Sequence, residues 1–90
     1  MNVELKGTLK LISAEEKIND GLSKKELVVT IDEDTQYPQD IICQALNKSI
    51  ELITADFKMG DRVSVNCNLR GKASNGKYYN QLILWSIKKS

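Results

Sequence analysis

Ninety residues, 41% hydrophobic and 28% charged, specify a single domain over residues 1–90, and a chain of this length buries only about 60–65% of its unfolded surface. No apolar run approaches the roughly 20 residues of a transmembrane helix, and the opening MNVELKGTLKLIS alternates apolar with polar residues where a signal peptide would be continuously apolar, so a cytoplasmic protein without a membrane partner is expected. The formal net charge of +1 conceals a division: residues 57–90 carry seven basic groups against Asp61, net +6, whereas residues 1–56 carry six basic and eleven acidic groups, net −5.

In chain order, VELKGTLKLI (residues 3–12) places Val3, Leu5, Leu9 and Leu11 on one parity and Glu4, Lys6, Thr8 and Lys10 on the other, the pattern of a half-buried strand. Gly7 falls on the apolar parity, where a missing side chain lets a strand bend as a small closed barrel requires. Residues 13–23 read as a polar connection with an Asn19-Asp20-Gly21 turn. KKELVVTID (24–32) is a second strand, followed by the polar loop DEDTQYPQ, in which Pro38 holds Tyr37 extended. A third strand covers roughly residues 40–46. There Ile41, Cys43 and Ala45 oppose Ile42, Gln44 and Leu46, and parity alone does not say which set faces inward.

Residues 47–58, NKSIELITADFK, take a helical period through Ile50, Ile53 and Phe57, with Asn47 suited to the N-cap and Gly60 to the position past the end. Residues 61–73 return to period 2, with Val63, Val65, Cys67 and Leu69 inward. Ser74-Asn75-Gly76-Lys77 carries the Asn-Gly signature of a tight hairpin, and YYNQLILWSIK (78–88) is a fifth strand. The order strand, strand, strand, helix, strand, strand is that of an all-β domain with one short helix, a five-stranded OB-fold barrel.

The stretches GDRVSVNCNLRGK (60–72), NGKYYNQLILWSI (75–87) and YPQDI (37–41) resemble the DUF3127 family of small bacterial and phage proteins, OB-fold relatives of single-stranded DNA-binding proteins. The resemblance runs from the first strand to the Trp85 strand. It implies an OB-fold with single-stranded DNA binding.

Catalytic chemistry is not expected. The chain has no histidine, so Ser-His and Cys-His nucleophiles are absent, and Cys43 and Cys67 have neither the spacing nor the partners of a zinc site; no metal and no cofactor is expected. Gly71 to Tyr78 nearly spells a phosphate-binding loop. However, Tyr78 replaces the magnesium-binding hydroxyl and a strand, not a helix, follows. Asp32-Glu33-Asp34 reads as a solvated acidic loop. The two cysteines read as buried, reduced thiols.

Single-stranded nucleic acid is held by cations that track phosphates and aromatic faces that stack bases. The candidate cations are Lys24 and Lys25 opening the second strand, Arg70 and Lys72 closing the fourth, and Lys77 in the hairpin. The stacking candidates are Tyr37, Tyr78, Tyr79 and Trp85. The expected function is non-catalytic binding of single-stranded DNA with little sequence preference, RNA being a weaker option because the aromatic motif of RNA-recognition modules is missing. The competing reading is a protein-association or homo-oligomeric module in which Ile42, Leu46, Ile83 and Trp85 form the contact surface.

Overall fold

The computed structural model describes residues 1–90: strands β1 (Asn2–Ile12), β2 (Glu16–Asn19), β3 (Leu22–Ile31) and β4 (Gln39–Leu46), a 3-10 helix (Asn47–Leu52), then β5 (Arg62–Ser74) and β6 (Lys77–Lys89). Five of the strands follow one another around the sheet as β1-β5-β6-β4-β3, and β1 pairs with β3 as well, which closes them into a barrel. The architecture is the OB-fold barrel with one short helix.

Closure depends on β1 serving two partners. Residues 2–8 pair antiparallel with β5, Thr8 opposing Arg62, and residues 8–12 pair with β3, Thr8 opposing Thr30. Gly7 lies where the strand passes from one partner to the other. A Cβ at this position would collide with the Thr30 carbonyl, so the bend expected from a glycine of apolar parity is a requirement of close backbone approach. Just beyond it, a bulge between Leu9 and Leu11 breaks the alternation. Leu9 is fully buried, whereas Leu11 is 49% exposed and Ile12 turns partly inward in its place. The inward assignment of Leu11 is corrected by that one inserted residue.

Leu5, Leu9, Leu27, Val29, Val63, Val65 and Leu84 dominate the core, and each such side chain contributes on the order of 1.5–3 kcal/mol by leaving water. Burial of Cys43 and Ala45 makes their parity the inner one in β4, so Ile42, Gln44 and Leu46 face outward. In β6 a bulge opposite Asn66 and Cys67 resolves the double apolar pattern: Leu84 opposes Cys67 and Ile87 opposes Val65, both on the inner side, with Trp85 left outside at 50% exposure. Cys43 and Cys67 are free thiols, buried in this core. The neighbouring Cys67 thiol, together with burial, pushes the Cys43 thiol far above the ordinary range, which leaves it protonated and unreactive.

Two elements differ from the pattern in the sequence. The connection over residues 13–23 contains β2, which hairpins onto β3 through the expected Asn19-Asp20-Gly21 turn, Gly21 donating its N–H to Asn19 Oδ1 at 2.9 Å. The helix expected over residues 47–58 is reduced to the six-residue 3-10 turn. Asn47 does not cap it: with φ at 51° its side chain accepts the Ser23 N–H at 3.0 Å, tying the turn to β3. Gly60, at φ 99°, serves a later turn closed by the Asp61 N–H to the Lys58 carbonyl, and Ile53 and Phe57 still pack on the core from this irregular segment.

Candidate nucleic-acid interface

β5 and β6 outlast the barrel. From Leu69 opposite Leu82 to Ser74 opposite Lys77 they form a two-stranded arm, closed by Asn75 (φ 52°) and Gly76 (φ 78°), the two left-handed residues that a tight hairpin of matching twist demands. Residues paired across strands share a face. One face of the arm therefore carries Arg70 with Gln81, Lys72 with Tyr79, and Ser74 with Lys77; the other carries Leu69 with Leu82, Gly71 with Asn80, and Ala73 with Tyr78.

The first face is concave, a groove of about 630 Å³ lined by Arg70, Gly71, Lys72, Ser74, Tyr79 and Gln81. The arm contains no carboxylate, and the five ion pairs of the protein leave Arg70, Lys72 and Lys77 out. Their charges face solvent unopposed, and Tyr79, 52% exposed, offers its ring beside them.

Trp85 continues the same outer face along β6. Its Nε1–H donates to Asn2 Oδ1 at 2.9 Å, and Asn2 Nδ2–H donates to Asn66 Oδ1 at 3.3 Å, so the indole is held across β1 and β5. Gln44 of β4 pairs with Ile83 of β6 in a single parallel bridge. Two residues further along each strand stand Leu46 and Trp85, which places Ile42, Leu46, Ile83 and Trp85 on one outward wall. Ile83 is only 7% exposed yet lies outside the core cluster, as an outward side chain covered by its neighbours would.

The remaining candidates are not gathered on the arm. Lys24 opposes Leu46 and Glu16, at the far end of β3, and Lys25 opposes Ala45 on the inner parity. Tyr37, 72% exposed, stands in the β3–β4 loop, and Tyr78, 85% exposed, points from the opposite side of the arm to Tyr79. Elsewhere, Lys6, Lys10, Lys17, Arg62 and Lys89 are engaged by acids. Glu33 accepts from Arg62 Nη1 at 2.9 Å and Thr8 Oγ1 at 2.7 Å, while Lys89 meets Asp61 at 3.7 Å and lies over the Phe57 ring. Asp40 accepts from Lys10 and Thr30, both at 2.7 Å, and those bonds hold its carboxyl below the usual range. Gln81 was not singled out by the sequence, although its place opposite Arg70 follows from the hairpin register.

Solved structures similar to this chain include proteins named for single-stranded DNA binding. The mitochondrial single-stranded DNA-binding protein Rim1 of S. cerevisiae superposes with a TM-score of 0.79 at 12% identity, over 99% of this chain and 94% of that one. The SSB domain of a Synechococcus sp. protein gives 0.72 at 15% identity, over 96% and 91%. The dimeric N-terminal domain of PriB from Thermoanaerobacter tencongensis gives 0.71 at 16% identity, over 99% and 94%. At these identities the likeness establishes the OB-fold. The chain itself belongs to the family described as Domain of unknown function DUF3127, which it matches over residues 4–88. No curated protein matches it in sequence.

Proposed function

We propose that this protein binds single-stranded DNA without catalysing a reaction and with little sequence preference along the strand. The observation that carries this reading is the arm: Arg70, Lys72 and Tyr79 line one solvent-filled groove, Lys77 stands at its tip, and no acid opposes them. Cations release the counterions of a phosphate backbone, a planar guanidinium both grips phosphate and stacks, and an aromatic face accepts any base at ~1–3 kcal/mol. Trp85 supplies a second such face further along β6, its N–H already occupied by Asn2, so that only its ring is on offer. The likeness in fold to proteins named for single-stranded DNA binding supports the same reading.

Titration of fluorescently labelled oligo(dT) at several salt concentrations tests it. The expected result is micromolar or tighter affinity at low salt, with log K falling against log salt by about 0.7 per phosphate contacted. Absence of binding at low salt overturns the proposal, and a parallel titration with oligo(U) reads any RNA binding. A second reading, self-association through the outward wall, is favoured by Ile42 and Trp85, 53% and 50% exposed beside Leu46 and Ile83. Sedimentation of the free protein over a range of concentrations measures it.

A further inference from the structure

A second groove of about 440 Å³ opens where β4 and the base of the arm diverge. Its apolar walls are Val3, Ile41, Ile42, Leu69 and Leu82, and its polar groups are Gln44, Asn80, Gln81 and Asp40. No cation lines it. Its one carboxylate is already held by Lys10 and Thr30, so the groove offers a phosphate nothing. Gln81 lines the cationic groove as well, so the two meet at this side chain at the edge of the arm.

We propose that this second groove is a subsite for one nucleobase of the bound strand, enclosed by the apolar walls and read at its edge by the carboxamides. The inference rests on the single-stranded DNA reading. The two grooves divide a nucleotide by its chemistry: the phosphate belongs with Arg70 and Lys72, and the base belongs where no cation stands. Carboxamides present a donor and an acceptor side by side, the pattern that pairs bidentately with a base edge and best with adenine. Here they are free to do so. The carboxamides of Asn80 and Gln81 make no hydrogen bond with the rest of the protein, and that of Gln44 gives only its Nε2–H, to Glu26 Oε2 at 3.5 Å, the outer limit of such a bond. Stacking and phosphate contacts tolerate any sequence, so preference is confined to the one position that enters this groove.

The test uses an oligo(dT) just long enough to bind, in one series with a single abasic site moved along it and in another with dA, dC or dG at each position. We expect one position at which the abasic site weakens binding about tenfold and at which base identity changes Kd. Gln44→Ala with Asn80→Ala flattens the identity dependence there and leaves the salt slope unchanged. An abasic loss spread evenly over all positions, or a double variant with the wild-type profile, overturns the subsite while the strand-binding reading stands. Failure of the unmodified oligo(dT) to bind at low salt overturns both.

Discussion

The barrel wall and the arm are built from the same two strands, and the period-2 alternation of β5 runs unbroken from one to the other. What changes is what lies behind it. Along the wall Val63, Val65 and Cys67 are fully buried in a core fed by five strands, so alternation there is converted into stability. Beyond the Leu69–Leu82 pair there is no core to face: Tyr78 is 85% exposed, and the alternation instead sorts chemistry, putting Arg70, Lys72 and Tyr79 on one side and uncharged groups on the other. The same strand pair is thus a structural element at one end and a presenting surface at the other.

The difference is expected to show as a separation of stability from affinity. The largest effect belongs to the wall: Gly7→Ala drives a methyl group into the Thr30 carbonyl at the β1–β3 closure, and we expect a loss of about 3 kcal/mol in urea unfolding, the upper end of overpacking costs because backbone cannot step aside. Leu84→Ala, emptying a fully buried site, is expected to cost about 2–3 kcal/mol by the same measurement. In the arm, Arg70→Ala with Lys72→Ala is expected to weaken oligo(dT) binding about tenfold at low salt and lower the salt slope by about 1.4 if each meets one phosphate, with unfolding free energy changed by less than about 0.5 kcal/mol. Equal affinity in that double variant would move the binding face elsewhere. The smallest effect is Asp40→Asn. The depressed carboxyl stabilises the fold at pH values above its unfolded pKa, and that contribution disappears as pH falls through the lower folded value. A slightly lower Tm at pH 7 that converges with wild type in acid is therefore expected.

In β5, where a residue faces the core, its role was legible in the sequence. Val63, Val65 and Cys67, the Asn75-Gly76 hairpin and the bend at Gly7 all follow from patterning and turn chemistry. The rest was hidden for identifiable reasons. β2 consists of Glu16, Lys17, Ile18 and Asn19, all exposed, so no buried face leaves an alternating trace. The bulges after Leu9 and at Trp85 each insert one residue and exchange faces downstream, which a strict period cannot register. The segment after Leu46 has helical spacing, but Asn47 in a left-handed conformation and the bond to Ser23 divert it. Charge was legible by halves rather than by face: of the basic groups after residue 56, Arg62 and Lys89 are neutralised by Glu33 and Asp61, and those left on the arm are three. Lys24 and Lys25, placed by analogy of strand position, sit apart because the register sets Lys24 between Glu16 and Leu46 and Lys25 opposite Ala45.

The two cysteines give the barrel a chemical clock. Cys43 is 1% and Cys67 0% exposed, on β4 and β5, so an alkylating reagent reaches them only when the barrel opens, whatever happens to the arm. Their labelling rate counts openings directly. A strand of DNA that binds only the closed form must slow that rate by the factor 1 + [L]/Kd, which turns two thiols buried behind the proposed contacts into a measure of occupancy on the outer face.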